Sequence, residues 1–156
     1  MFSYTAAPTV PPPCPAGVDG RPLEVHITWI VYEFANISGP TETFEVGMYM
    51  IGEWVDPSLV GKTAADVCHT DVWSPRLELA NAHTDVHIRF EMFELHPGGR
   101  VHCGAKLQTT LENRMDLRAF PFDTQHLVVK FESAASQAHE IVLVPGCPIA
   151  VKKGPS

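Results

Sequence analysis

Apolar and polar residues alternate with a period of two through most of this chain. In "LEVHITWIVYEF", Leu23, Val25, Ile27, Trp29 and Val31 share one side while Glu24, His26 and Thr28 share the other. That is the signature of a strand with one face turned to a core. Gly39-Pro40 interrupts it with a turn signal, and "FEVGMYMIGEW" resumes it, with Phe44, Val46, Met48 and Met50 opposite Glu45, Gly47 and Tyr49. "WVDPSLVGKTAADVCHTD" is polar and turn-rich, with one helical turn expected near Thr63–Val67. "VWSPRLELANAH" predicts a short edge strand, because Pro75 has no N–H for a ladder. "VHIRFEMFEL" and "RVHCGAKLQTTLEN" flank "HPGG", which predicts a hairpin. Leu127–Phe131 and then "EIVLVP" supply the last strands.

Six or seven strands, no amphipathic helix and no internal repeat predict an all-β fold. The expected architecture is an immunoglobulin-like antiparallel β-sandwich with Greek-key connections, read as truncated after the seventh strand. Residues 1–22 hold six of the fourteen prolines and read as a disordered lead-in. The domain proper is expected over residues 23–146, and 147–156 read as a tail.

Composition narrows the function. A chain of 156 residues with 45% apolar and 19% charged residues is one globular domain. Its net charge of −7 argues against a nucleic-acid partner, which would demand a basic patch. No apolar run reaches the roughly 18 residues of a membrane helix, and the N-terminus has no basic leader, so the chain as written reads as soluble with no signal peptide. Of the four cysteines, Cys103 continues an apolar strand face and reads as a buried free thiol; pairing of Cys14 with Cys147 stays open.

Catalytic motifs are missing: there is no nucleophile elbow, no phosphate-binding glycine loop and no H-E-x-x-H. The eight histidines lack zinc-ligand spacing. His102 and Cys103 would point to opposite faces of a strand, so they cannot share one ion. The expectation is therefore no enzyme, no cofactor and no tight zinc site. Asn36-Ile37-Ser38 fits the glycosylation sequon, a pattern short enough to arise by chance.

Four motifs stand in order: Trp54-Val55-Asp56, Trp73-Ser74-Pro75, Asn81, and Phe120-Pro121-Phe122-Asp123-Thr124-Gln125. Together they resemble the ligand-binding domain of pentameric ligand-gated ion channels, the Cys-loop receptor superfamily, over roughly residues 18–146. In that family W-x-D closes the second strand, W-x-P opens a strand ending in Asn, and F-P-F-D-x-Q forms a knuckle between two strands. Animal members bracket the knuckle with two cysteines; the matching positions here are Asn113 and Leu127, so the resemblance is to the bacterial-type branch without that disulfide.

The resemblance implies an extracellular or periplasmic sensor in a membrane-bound homo-pentamer, with a small-molecule ligand held between subunits and gating a pore outside this chain. It also implies further strands and membrane helices that the sequence does not contain. A stand-alone binding protein of the same fold, or a non-functional fragment, is the alternative. Carried over position by position, the ligand contacts would be Tyr49, Ala80, Asn81, His102, Lys106 and Ser133. Two positions where the family carries aromatics lack them here, Ala80 and a site near Ala134. Asn36, Ser38 and Phe120-Pro121-Phe122-Asp123 would lie in loops that pass the signal to the membrane module. Trp54, Asp56, Trp73, Pro75 and Gln125 would be structural.

Overall fold

The computed structural model describes residues 12–115, 118, 124, 126–134 and 140–146. Seven strands follow one another as β1 (Leu23–Ser38), β2 (Thr43–Val60), β3 (Leu77–Leu79), β4 (His87–Leu95), β5 (Gly98–Glu112), β6 (Phe131–Ser133) and β7 (Ile141–Pro145). Five form one sheet in the order β4-β5-β2-β1-β7, and β3 pairs with β6 in a second, small sheet. The chain leaves the large sheet after β2 to make β3 and returns through β4, so β2 and β5 are neighbours although two strands lie between them in sequence. The all-β sandwich is thus the fold, and among the described residues no helix is long and apolar enough to cross a membrane.

Alternation explains the layers. Phe44, Val46, Met48, Met50 and Trp54 of β2 are buried together with Val25 and Ile27 of β1 and Val101, Leu107 and Leu111 of β5. The small sheet covers this surface with Leu77 and Leu79. Gly52 marks the closest approach: a Cβ there would stand 3.0 Å from Leu77 Cδ1. Beneath it Trp54 and Trp73 meet edge to face, ring centroids 5.5 Å apart at 90°, an arrangement that aligns the positive edge of one indole with the negative face of the other. Pro75 is fully buried beside them. The two tryptophans and the proline are therefore part of the core.

The strand expected over Leu127–Phe131 forms only at Phe131–Ser133, and four further features differ from the expected pattern. β2 runs on to Val60 through the segment expected to be turn-rich, absorbing a register shift between Val55 and Val60. Asp56, buried there, accepts from Ser58 N at 2.9 Å and from Ser58 Oγ at 2.7 Å, which replaces the ladder bonds lost at the bulge. Near Thr63–Val67 there is one turn and no helix: Asp66 N donates to Thr63 O, and Asp66 Oδ2 accepts from both Thr63 N and Thr63 Oγ1. These two hydrogen bonds, together with nearby Lys62, hold the Asp66 carboxyl below its usual range.

The third difference is direction. β7 joins β1 in parallel, Leu23 opposite Ile141 through Ile27 opposite Pro145, whereas the other pairs in the sheets are antiparallel. The fourth is Trp29, on the core side of β1 but 44% exposed. The small sheet covers it only in part, through Phe131 of β6, whose ring lies 5.2 Å from the indole.

The predicted hairpin is present. Gly99 N donates to His96 O and His96 N to Arg100 O, while Gly99 takes φ +76° and lies so close to the Asp56 carbonyl that a Cβ would stand 2.4 Å from it. Only glycine satisfies both conditions. The knuckle Phe120-Pro121-Phe122-Asp123, with Gln125 and Cys147, lies outside the described residues.

Candidate functional site

The large sheet's other face points away from the small sheet, and there Tyr49 of β2 stands opposite Lys106 of β5. Lys106 Nζ lies 5.4 Å from the Tyr49 ring centroid and 4.8 Å from that of Tyr32. The two tyrosine rings are 5.5 Å apart. An ammonium against two π faces is attracted by their quadrupoles, so the cation already in this aromatic group is the protein's own. Tyr32 reaches the group because β1 shifts register between Val31 and Glu33 and because residue 47 is glycine. A Cβ on Gly47 would stand 2.6 Å from Tyr32 Cε2. Neither Tyr32 nor Gly47 was a sequence candidate, although Tyr32 shares its parity with Glu24, His26 and Thr28 on the polar side of β1.

One row along the sheet from Tyr49 and Lys106, Gly47 faces Gln108. Gln108 Oε1 accepts from Arg89 Nε and Nη2, and its Nε2 donates to Glu33 Oε2 at 3.0 Å. An open hollow of about 270 Å³ lies here, lined among others by Glu33, Glu45, Asp85 and His87. This face therefore joins a cationic, aromatic spot to an acidic one.

Ala80, Asn81 and Ser133 lie elsewhere. Ala80 follows β3 and is exposed, its N–H bonded to Lys130 O at 2.8 Å. Ser133 pairs with Leu77 in the small sheet and donates from Oγ to Pro75 O. Asn81 spends its side chain on backbone: Nδ2 donates to Glu112 O and to Val128 O, both at 2.8 Å, and Oδ1 accepts from Lys130 N at 3.0 Å. With all these groups engaged, Asn81 acts as a splice between β5 and the 126–130 segment. The structure consequently separates the six candidate contacts into two sets, one on the large sheet and one around the small sheet, and a single chain does not bring them together.

Asn36 and Ser38 end β1, with Asn36 at φ +48° and Ser38 Oγ accepting from Thr41 N in the following turn. That turn leads to Glu42, which sequence reasoning passed over. Asn113 N donates to Glu42 O at 2.8 Å, and Met115 N donates to Glu42 Oε1 at 3.2 Å. The β1–β2 turn and the root of the knuckle loop are thereby tied at one end of the sandwich. Asn113 itself closes that root, as Nδ2 donates to His126 O at 2.9 Å and Oδ1 accepts from Val128 N at 3.1 Å.

His102 sits two rows from Lys106 along the same face of β5, opposite Glu53 and Glu94. Its Nε2 stands against Glu53 Oε2 without normal hydrogen-bond geometry, so that nitrogen has no hydrogen-bond partner among the described residues. Cys103 does face the other way, buried, and desolvation first and the Glu91 carboxylate second push its thiol up to about 12.

Comparison with known proteins supplies the family. The model of the neurotransmitter-gated ion-channel ligand binding domain matches residues 13–150. A γ-aminobutyric acid receptor subunit theta of Mus musculus is 28% identical over 134 residues, covering 80% of this chain and 21% of the relative. A γ-aminobutyric acid receptor subunit beta of Caenorhabditis elegans is 29% identical over 147 residues, 86% of this chain and 27% of the relative. The beta-4 subunit of Gallus gallus is 26% identical over 133 residues, 79% and 27% respectively. The chain thus spans about a quarter of the length of these relatives, all of them receptor subunits and none an enzyme. With the match running through both sheets and all seven strands, the chain belongs to the neurotransmitter-gated ion-channel ligand binding domain family.

Proposed function

We propose that this chain is the ligand-sensing domain of a pentameric channel and binds a small zwitterion of the amino-acid kind between neighbouring subunits. The observation that carries this reading is the separation of the candidate contacts. Tyr49 and Lys106 look outward from the large sheet, while Ala80, Asn81 and Ser133 belong to the region of the small sheet. A second copy is needed to bring one set to the other.

The ligand's chemistry follows from the exposed face. Lys106 offers a positive charge framed by Tyr32 and Tyr49, which suits a carboxylate. Glu33 sits beside Gly47, one row from Tyr49 and about 7 Å along the sheet, and Glu45 a row further on; both suit an ammonium. A ligand with both groups a few bonds apart spans the two, and the relatives named as γ-aminobutyric acid receptor subunits make that compound the first to test. Binding is passed to a membrane pore outside this chain through the end of the sandwich where Glu42 meets Asn113 and Met115.

Calorimetric titration of γ-aminobutyric acid into the chain, with assembly state followed by light scattering, tests this. Saturable binding that needs the assembled form, weakened at least tenfold by Lys106→Ala and retained by Lys106→Arg, is the expected result. Equal affinity in all three proteins, or full affinity in a monomer, would overturn it.

A further inference from the structure

Beyond the ligand reading, the structure carries a second cluster, which shares only His102 with the candidate ligand contacts. We propose that Glu94, His96 and His102 form a site for a divalent transition-metal ion of the zinc class. Each offers one ligand atom, and these atoms lie within 4.8 Å of one another.

The hairpin builds the site. Glu94 and His102 face each other across the β4–β5 ladder on the outer face, where directly opposed side chains are about 5 Å apart at Cβ. His96 opens the turn, and its ring stands against that of His102, centroids 5.0 Å apart at 72°. Glu94 Oε2 lies 3.7 Å from His96 Nε2 and 3.9 Å from His102 Nδ1. A carboxylate oxygen therefore already sits between two imidazole nitrogens, and an ion can replace those electrostatic contacts by coordinate bonds of about 2 Å after small rotations of the side chains.

Glu53 supplies the support such a site needs. Its Oε2 engages the other ring nitrogen of His102, and Arg100 Nε stands 3.6 Å from its Oε1. A carboxylate hydrogen-bonded to the far nitrogen of a ligating histidine fixes the ring and raises its basicity, and Glu53 is placed to make that bond after a small side-chain shift. The ring already turns Nδ1 toward Glu94.

Ligand type selects the ion. Two imidazoles and one carboxylate suit zinc, copper or nickel, while calcium and magnesium require sets dominated by oxygen. Glu94 and His96 are exposed, which leaves at least one coordination position to water and gives an open, moderate-affinity site rather than a closed structural one. Spacing in the sequence hid the group. Glu94, His96 and His102 fit no linear zinc pattern, and only the turn at Pro97–Gly99 folds the three together.

The test is calorimetric titration of zinc chloride into the chain in a non-chelating buffer. One equivalent should bind in the micromolar range, and His96→Ala and Glu94→Gln should each weaken uptake at least tenfold. His96 and Glu94 are exposed, so neither variant threatens folding, which circular dichroism checks. A His83→Ala, His87→Ala double variant should bind as the parent does, and cobalt(II) should give visible absorption typical of a low-coordinate nitrogen–oxygen site. No saturable uptake by the parent, equal loss in the His83/His87 variant, or displacement of zinc by equimolar calcium would overturn the proposal.

Discussion

Asn113 holds Val128 through its side chain, Oδ1 accepting the Val128 amide at 3.1 Å while Nδ2 donates to the neighbouring His126 carbonyl at 2.9 Å. Two side-chain bonds to backbone thus close the loop that begins after residue 113. By the family resemblance, residues 113 and 127 are where animal receptors place the cysteines of their disulfide. The link here is hydrogen-bonded, directional and reversible, and it requires Asn113 to stay buried.

Removing that side chain leaves the Val128 N–H and the His126 carbonyl to water or to nothing. Asn113→Ala should therefore lower stability by about 1–3 kcal/mol, the cost of buried polar groups losing their partner. The shift should appear in the urea midpoint, with faster amide exchange at Val128 in advance of the rest of the sheet. An unchanged midpoint together with unchanged exchange at Val128 would show that the loop root is held elsewhere.

Gly47 governs a different contact. The atoms that a Cβ at residue 47 would meet are the far end of the Tyr32 ring, at 2.6 to 2.9 Å. That ring can swing outward at small cost, so Gly47→Ala should leave the fold intact, within about 1 kcal/mol of the parent. It should nevertheless take Tyr32 away from Lys106. Proton NMR reports this directly: ring currents from Tyr32 and Tyr49 shield the Lys106 ε-methylene, and the variant should move that resonance toward its unfolded position. Retention of the parent shift would mean that Tyr49 alone frames the cation.

These residues also mark how far the sequence was readable. β1, β2, β4 and β5 were legible because one face of each is buried, and burial imposes a period of two on residues such as Val46, Met48 and Met50. Trp54, Trp73 and Pro75 carried a structural expectation only through the family resemblance; in the fold they are buried, the two indoles edge to face. The parallel setting of β7 was not legible, since alternation carries no strand direction. The backbone bonds of Asn81 and Asn113 were not legible for another reason. Their partners lie 13 to 49 residues away, and nothing in the local pattern distinguishes an asparagine that bonds backbone from one that meets a ligand. Glu42 and the Glu94–His96–His102 group were missed likewise, because both exist only once turns bring distant or offset residues together.

Cys103 gives the clearest separation between folded and unfolded chemistry. It is buried on the core side of β5, and desolvation, with Glu91 adding like charge, raises its thiol from 9.0 to about 12. The nucleophile is the thiolate, so a rise of three units, from 9.0 to about 12, leaves its population near neutral pH about a thousandfold lower. Cys68 is exposed and serves as the internal standard. Iodoacetamide at pH 8, followed by peptide mass mapping, should label Cys68 promptly and Cys103 only after unfolding in urea. The same shift makes a prediction for stability. Below pH 9 the thiol is protonated in both states and contributes no pH dependence. Between 9 and 12 the unfolded chain releases the proton while the folded chain keeps it, so stability falls by up to about 1.4 kcal/mol per pH unit. Cys103→Ala should flatten that alkaline limb of the urea midpoint against pH. An identical limb in the variant, or equal labelling of Cys68 and Cys103 in the folded chain, would place the Cys103 thiol in contact with water.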